Sequence, residues 1–424
     1  MSNASFSRRQ WLQAAALGAT GASLHGWLPQ LASHARAAEG ALARSKSCIL
    51  LWMDGGPSQT HTFSIPEFEP DYKTIATSVV GVRISEHLPK VAACMGELAI
   101  LRTMSTGLNN HGPGQYLMHT GYRSSVAVNY PSLGAIVAKE RGRADTGLPS
   151  YISLGSSSVP KAFQRAGALG SDYAPMMLGG SSIADVKPPI PSREEARLRL
   201  LQDVQQAEME RFGGEPLRSH AASYRKAVEL MHTDKLRAFD YKQESRDIQD
   251  LYGAGSFGTQ CLQARRLVEA GVAFVEVNWG GWDHHGGAAE PVKKRSPELD
   301  QGFSALIEDL KQRGLLETTL VVWMGEFGRG PLAKLGGGNN GHKCAGHYDK
   351  CWNTVMAGAG LKTGQVIGAT TADGVEVVDR PVSAGDFFAT ICRALDIRHD
   401  DTYEANGRPV PYAASGSAPI KELF

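Results

Sequence analysis

The sequence predicts an α/β protein with a mostly parallel central sheet that is flanked by helices on both faces. Short runs, rich in apolar and β-branched residues, alternate with segments that have the apolar spacing of amphipathic helices. This alternation is typical of strand-helix-strand units. The runs that we interpret as strands are residues 48–53, 98–103, 273–278, 319–324 and 353–357.

Acidic and imidazole side chains lie close to the ends of four of these strands. In open α/β sheets, ligands bind outside the carboxyl ends of the strands, so side chains delivered there are placed for chemistry. The pattern therefore predicts a metal site that is assembled from separate loops. Its candidate residues are Asp54, Asp283, His285, Glu326, His342 and His347.

The stretch Trp282-Asp283-His284-His285 lies between glycines, directly after the strand 273–278. Asp283 and His285 are two positions apart, which places both side chains on one side of an extended segment. A carboxylate with an imidazole is a good ligand set for zinc or a similar divalent ion. We expect a divalent metal cofactor, with zinc first and manganese, calcium or iron as alternatives.

His111 follows the strand 98–103 in a loop that enters a short predicted helix, 115–120, which ends at Gly121. Helix N-termini attract anions through their free N–H groups and the helix dipole. A side chain at this place is suited to face an oxyanion substrate.

The first residues predict an export signal and not a part of the fold. Ser7-Arg8-Arg9-Gln10-Trp11-Leu12 is a twin-arginine motif, and Ala35-Arg36-Ala37 is a typical cleavage site. We therefore interpret residues 1–37 as a signal peptide, with the twin-arginine translocase as partner during export and a periplasmic or exported mature protein. A membrane anchor is less favoured, because a span needs about 20 predominantly apolar residues and this stretch contains glycines and a proline.

Residues 38–424 are expected to form one α/β domain with a mainly helical subdomain at about 192–255. That block begins with the capping box Ser192-Arg193-Glu194-Glu195 and has the composition of a solvated subdomain or lid. Without residues 1–37 the chain has 41 basic and 43 acidic residues, a net charge near −2. Nucleic acid and anionic membranes are excluded as partners because no basic patch is apparent.

Two of the six cysteines differ in context from the others. Cys344 and Cys351 flank His347 in a Gly-rich loop, where a disulfide and soft-metal ligation both stay open. The remaining four are expected to be small buried hydrophobes: Cys48, Cys94, Cys261 and Cys392.

Taken together, the motifs resemble those of the sulfatase and alkaline-phosphatase superfamily, and most closely its bacterial, twin-arginine-exported branch of unknown function. The resemblance covers nearly the whole mature chain and implies an alkaline-phosphatase-like fold. It is carried by Asp54-Gly55-Gly56-Pro57-Ser58, Gly281-Trp282-Asp283-His284-His285, Met324-Gly325-Glu326-Phe327-Gly328-Arg329, and the segment from Gly346-His347 to Gly368.

The resemblance also implies which residues bind metal. Asp54 and Glu326 would serve one metal position, and Asp283, His285 and His347 would serve the other. His111 falls where these enzymes carry their nucleophile. There it would act as a ligand, a general acid or base, or a covalent nucleophile.

The chain departs from the superfamily pattern in ways that change the expected chemistry. Glu326-Phe327 replaces the usual Asp-His, and His61 is a candidate for the missing imidazole. His111 replaces the expected Ser, Thr or Cys, so formylglycine chemistry is not expected. Arg329 is expected to hold an anionic group through its bidentate guanidinium edge. Weaker nucleophile candidates are Ser58 and Ser105.

Two functions from different classes remain open at this point. The first is a periplasmic metal-dependent hydrolase of a sulfate, phosphate or related ester, in which the metal lowers the pKa of water toward about 7. The second is a catalytically degenerate protein that binds metal or a glycan in a cell-envelope assembly. The partner of the chain would be an anionic ester substrate under the first function and a glycan under the second.

Overall fold

A computed structural model describes residues 45–424, except for 67–71, 157–164, 180–192, most of 212–233, 286, 331–345 and 375. The predicted signal peptide, His342 and Cys344 lie outside the described residues, so the predictions made for them stay predictions. Among the described helices, none combines the length and the apolar character that crossing a membrane requires.

The described residues form strands of two to eight residues. In chain order they are β1 (Ser47–Trp52), β2 (Thr74–Ala76), β3 (Arg83–Ser85), β4 (Leu98–Ser105), β5 (Tyr151–Ser156), β6 (Met176–Leu178), β7 (Phe274–Trp279), β8 (Thr319–Met324), β9 (Gly328–Arg329), β10 (His347–Tyr348), β11 (Trp352–Gly358), β12 (Gln365–Ile367), β13 (Ala369–Thr370), β14 (Val377–Asp379), β15 (Val382–Ser383), β16 (Thr402–Ala405) and β17 (Arg408–Pro411).

The α-helices of the same residues fall mainly between these strands. They are α1 (Pro89–Ala93), α2 (His111–Thr120), α3 (Leu133–Arg141), α4 (Glu194–Arg211), α5 (Arg246–Tyr252), α6 (Ser256–Glu269), α7 (Ala289–Gln312) and α8 (Ala384–Ala394).

The main sheet has the strand order β12-β4-β11-β8-β1-β7-β5-β6, with β15 also paired to β4. Alternate side chains of β1 enter two separate cores, because successive residues of a strand point to opposite faces. Ile49 and Leu51 pack with α6 and α7, whereas Cys48 and Leu50 pack with α2, α3 and α8. The predicted α/β class, with helices on both faces of the sheet, is therefore confirmed.

Strand β11 is antiparallel to both of its neighbours, whereas the other pairings of the main sheet, among the described strands, are parallel. Its amino end therefore lies at the edge of the sheet where β4 and β8 have their carboxyl ends. This reversal explains why His347, which precedes a strand, reaches the same edge as side chains that follow strands.

One helix begins earlier than the sequence predicts, and another continues through a proline. Helix α2 begins at His111 and not at Gln115, because Pro113 lies in its first turn, where the missing N–H would have no helical partner. Helix α7 begins at Ala289 and continues through Pro297. Buried residues on both sides of that proline, such as Val292 and Leu299, belong to one core, so tertiary packing overrides the helix-breaking tendency.

The helical block is described only in part. Helix α4 confirms the helix that the capping box predicts, and its described residues are exposed or half-buried. Cys351 is buried and forms no disulfide with another described cysteine; its Sγ lies 3.4 Å from the carbonyl oxygen of Arg102. The other four cysteines are buried, as predicted.

Leu306→Ala tests the contribution of α7 to the core that supports the site. Leu306 is fully buried, so its truncation should lower the free energy of unfolding by about 2–5 kcal/mol through lost burial and a residual cavity. Urea unfolding followed by circular dichroism measures this change. Gln312→Ala, on an exposed position of the same helix, is the control, and equal losses in both variants would contradict the assigned packing.

Candidate metal centre

The Asp54-Gly55-Gly56 turn brings three parts of the chain into contact. Gly55 and Gly56 have φ angles of +114° and +81°, a region that favours glycine. A Cβ on Gly55 would lie 2.4 Å from the backbone nitrogen of Asp283, and one on Gly56 would lie 2.7 Å from the Phe327 ring. The two glycines are therefore needed for the close approach of the loops that follow β1, β7 and β8.

The buried side chain of Arg329 connects these loops through hydrogen bonds. Its buried guanidinium donates hydrogen bonds to the carbonyl oxygens of Gly55, Gly56 and His284, and Nη2 lies 2.6 Å from Asp283 Oδ1. The sequence-based expectation was that Arg329 would hold a substrate anion. The structure differs, because the protein's own carbonyl groups and the Asp283 carboxylate already engage this guanidinium.

Four side chains from three loops converge on one point. The Nε2 atoms of His285, His111 and His347 lie 2.8, 3.3 and 3.4 Å from Asp283 Oδ1. One ligand atom from each of the four residues lies within 4.8 Å of every other. The predicted ligands Asp283, His285 and His347 are thus brought together, and His111 joins them.

Two of these imidazoles are oriented through their Nδ1 atoms. His111 Nδ1 lies 2.7 Å from Glu326 Oε1, and His347 Nδ1 lies 2.7 Å from the carbonyl oxygen of Asn109. A carbonyl oxygen only accepts, so His347 Nδ1 carries the proton and Nε2 of the neutral ring presents a lone pair. Such an outer hydrogen bond is the usual support of a metal-binding histidine.

Asp54 and Glu326 form a second, fully buried group beside the four converging residues. Gln115 Nε2 lies 2.6 Å from Asp54 Oδ1 and 3.4 Å from Glu326 Oε1, so one amide contacts both carboxylates. The backbone N–H of Gly55 also donates to Glu326. His111 connects the two groups through its hydrogen bond with Glu326.

Sequence reasoning did not select Gln115. It lies four positions after His111, and residues at this spacing share a helix face. The signal depended on starting α2 at His111, which the predicted boundary at Gln115 did not allow.

The electrostatics of the centre keep Asp283 ionised. Burial acts to raise the pKa of Asp283, but the hydrogen bond and charge of Arg329, with His111 and His285, outweigh it and lower the pKa to about 2. Burial lowers the pKa of His347, which favours the neutral ring. Without a cation, a lone pair of neutral His347 would face an anionic oxygen at 3.4 Å.

The pKa shifts of the His111 and Glu326 pair have different leading causes. The hydrogen bond to Glu326 raises the pKa of His111. Burial raises the pKa of Glu326, and the nearby Asp54 carboxylate adds to this effect, while the contact with His111 opposes it. The two residues therefore hold a proton between them on the buried side of the centre.

Phe327 lies where the superfamily pattern has an imidazole. Its ring stacks on His347, with centroids 4.5 Å apart, and its centroid lies 5.0 Å from that of His111. His61 does not replace this imidazole among the four converging residues. It contacts Ser58 Oγ through Nδ1 at 2.7 Å, and its ring packs edge-on against Tyr72.

The serine candidates also lie apart from the four converging residues. Ser58 is buried against His61. Ser105 ends β4, and its Oγ lies 3.4 Å from the carbonyl oxygen of Asp349.

The donor set fits a divalent metal ion. Three imidazole nitrogens and one carboxylate suit zinc and other first-row divalent ions, whose bonds of about 2.0–2.2 Å separate tetrahedral ligands by about 3.4 Å. The contacts of Asp283 Oδ1 with the three imidazoles, 2.8 to 3.4 Å, are close to that separation. His111 Nε2 is buried and has no hydrogen-bond partner among the described residues, as expected for an atom with a ligating role.

The sequence matches one protein-family model, described as a protein of unknown function (DUF1501), over residues 45–424. The chain belongs to this family. A search of curated proteins found no match. The family model spans all of the converging residues as well as Asp54, Gln115 and Glu326.

The DUF1501 chain is also similar to solved structures of sulfatases and alkaline-phosphatase-superfamily members, as its motifs predict. PsFucS1 sulfatase from Pseudoalteromonas sp. is 14% identical, with a TM-score of 0.39 and coverage of 87% of this chain and 72% of that one. Lipoteichoic acid synthase LtaP from Listeria monocytogenes is 9% identical, with a TM-score of 0.42 and coverage of 88% and 76%. Phosphonate monoester hydrolase of Agrobacterium radiobacter is 12% identical, with a TM-score of 0.38 and coverage of 88% and 76%. At these scores the likeness carries no conclusion about activity.

Gly55→Ala tests whether the close approach at the turn is needed. The new Cβ would meet the Asp283 backbone in addition to the strain of a positive φ, which alone costs about 1–3 kcal/mol. Gly416→Ala is the matched control, because Gly416 has a φ of +88° and a Cβ added there would meet no heavy atom within 4 Å. We expect Gly55→Ala to lose more unfolding free energy in urea than Gly416→Ala. Equal losses would show that the loops do not depend on this contact.

Proposed function

We propose that the DUF1501 chain is a metal-dependent hydrolase of a sulfate, phosphate or related ester. The observation that carries the proposal is the convergence of three imidazole Nε2 atoms on Asp283 Oδ1, with His111 and His347 oriented through Nδ1. These four side chains come from three separate parts of the chain, and they do not pack together in a hydrophobic core at this edge of the sheet. Their shared chemistry is cation binding.

The residues that would hold the ion are His111, Asp283, His285 and His347. A bound divalent ion would polarise the ester and supply an activated water. Arg329 holds the Asp283 carboxylate ionised and in place, while Glu326 and the Asn109 carbonyl fix the two inner imidazoles. This arrangement favours a ligand role for His111 over that of a covalent nucleophile.

Access to the centre is from one side. The side chains of His285 and Asp283 are 60% and 43% exposed, whereas Glu326 and Arg329 are fully buried. An anionic ester would therefore approach past His285, and the buried carboxylates Asp54 and Glu326 would lie behind the ion. His285 is the ligand best placed to exchange with water or substrate.

The setting of the proposed activity follows from the first 37 residues. Their twin-arginine motif favours export of the folded protein through the twin-arginine translocase, and hence a periplasmic or exported enzyme. Zinc is the ion we favour, with manganese, calcium and iron as alternatives. The partner would be an anionic ester or a glycan that carries one.

Metal analysis of three variants tests the centre. We expect the protein purified without chelator to contain a stoichiometric divalent metal, measured by inductively coupled plasma mass spectrometry. Asp283→Ala and His347→Ala should lose it, because each removes a ligand. His399→Ala, which removes a histidine outside the converging group, should retain it. The same metal content in Asp283→Ala and His399→Ala would rule out the centre.

Glu326→Gln and Asp54→Asn separate orientation from ligation. If Glu326 orients His111, Glu326→Gln should weaken metal affinity about 10- to 100-fold without abolishing it, as measured with a competing chelator. Asp54→Asn should then have a smaller effect, because Asp54 accepts a hydrogen bond from Gln115 and does not belong to the group of four converging residues. Two bound equivalents, one of them lost in Asp54→Asn, would instead support the separate metal position that the superfamily resemblance implies for Asp54 and Glu326.

Turnover distinguishes the hydrolase from the binding alternative. The metal-loaded protein should cleave at least one of 4-nitrophenyl sulfate, 4-nitrophenyl phosphate and a 4-nitrophenyl phosphonate monoester. Activity should disappear on chelation and in Asp283→Ala. Stoichiometric metal without turnover of any of the three would favour the degenerate metal- or glycan-binding protein, which Phe327 at the place of a ligand imidazole also favours.

A further inference from the structure

A separate cavity of about 730 Å³ opens beside the β2–β3 hairpin. Its walls come from Ser64–Pro66 in the connection between β1 and β2, from the hairpin, from strand β4 and from the segment that contains β13. None of the four converging residues of the metal centre lines it. Its size is within the range of small-molecule binding sites.

Three cationic side chains line the cavity: Lys73, Arg83 and Arg102. None of the described lining residues is acidic. The Arg83 guanidinium donates to Thr74, through Nε to Oγ1 and through Nη2 to the carbonyl oxygen, both at 2.7 Å. The hairpin therefore fixes the Arg83 guanidinium without neutralising its charge.

Arg102 is the least satisfied of the three cations. It extends from β4, where Nη2 donates to the carbonyl oxygen of Arg83 at 3.2 Å, and its buried Nε has no hydrogen-bond partner among the described residues. Burial lowers the pKa of Arg102, and no carboxylate in the described part of the chain offsets this cost. A half-buried guanidinium without a carboxylate partner costs folding free energy, which a bound anion would recover.

We infer that this cavity binds a saccharide bearing several sulfate or phosphate groups, with Arg102 as its innermost anion contact. Three separate cations match several anionic groups better than one. The Ser64 and Thr370 hydroxyls donate to Asn353 and Thr371, so their oxygens can accept from a polyhydroxylated ligand, and the Thr74 hydroxyl, which accepts from Arg83, can donate to one. Tyr72 is the single aromatic residue in the described lining, so the stacking platform that single-stranded nucleic acid requires is missing there.

The cavity and the metal centre share one segment of the chain. The segment between β1 and β2 carries Asp54 near its start and Ser64–Pro66 further along, so it borders both sites. The Ser64 hydroxyl donates to Asn353 Oδ1 on β11 at 2.9 Å, which ties the cavity wall to the main sheet. The inference does not depend on hydrolysis at the metal centre, because occupancy of the cavity is measured by binding alone.

The test is isothermal titration calorimetry of the full chain as purified, repeated in the presence of a chelator to separate any contribution of bound metal. The probes are sucrose octasulfate and inositol hexakisphosphate. The comparison compounds are sucrose, which has the saccharide without the charges, and inorganic sulfate, which has the charge without the saccharide. We expect one site for at least one polyanion, weakened by added salt. Sucrose should not bind, and inorganic sulfate should bind far more weakly.

Matched charge-removing variants locate the site. Arg102→Gln should weaken polyanion binding about tenfold or more, since charged hydrogen bonds in a partly buried site are strong. Lys73→Gln and Arg83→Gln, at exposed positions, should each weaken it severalfold and keep the test valid if Arg102→Gln does not fold. Arg398→Gln removes an exposed arginine that lies outside the lining and pairs with Asp400, and it should not change binding.

Three results would overturn the inference. The first is equal affinity of the polyanion for Arg102→Gln, Lys73→Gln and Arg398→Gln, which would indicate a diffuse surface effect. The second is a sulfate affinity equal to that of the octasulfate, which would reduce the cavity to a site for single ions. The third is no binding of either polyanion at low salt.

Discussion

The centre depends on the ion pair between the buried Arg329 guanidinium and Asp283. A guanidinium removed from water must be paired and hydrogen-bonded, or it destabilises the fold by several kcal/mol. Arg329 meets this requirement only if the loops after β1 and β7 both approach it, because its acceptors come from Gly55, Gly56, His284 and Asp283. The charge that stabilises the loop arrangement also places the Asp283 carboxylate beneath the three imidazoles.

The pairing of β9 with β10 also positions His347, the last candidate ligand along the chain. Arg329 on β9 pairs directly with His347 on β10, so the residue that fixes Asp283 also sets the position of a ligand candidate. The sequence predicted the central strands because short apolar and β-branched runs, separated by helical patterns, have few alternatives in a protein of this size. It could not predict that β11 runs antiparallel, since strand direction depends on long-range pairing and not on local pattern.

The sequence predicted which residues gather at the site better than it predicted what each of them does there. Asp283, His285 and His347 were selected because acids and imidazoles beside strand ends seldom serve packing. The contact of Gln115 with both buried carboxylates was missed because a proline concealed the start of α2. Arg329 was taken for a substrate-binding residue, since no sequence pattern distinguishes an arginine that binds the protein's own carbonyl groups from one that awaits an anion.

The donors of the centre are widely spread along the chain: His111 precedes the helical block, and His347 lies 64 positions after Asp283. An ion held by all of them would act as a crosslink between segments that are far apart in the unfolded chain. Such a link restricts the unfolded ensemble and opposes opening of the loops at the sheet edge. Metal supply would then influence which molecules stay folded, apart from any chemistry that the ion performs.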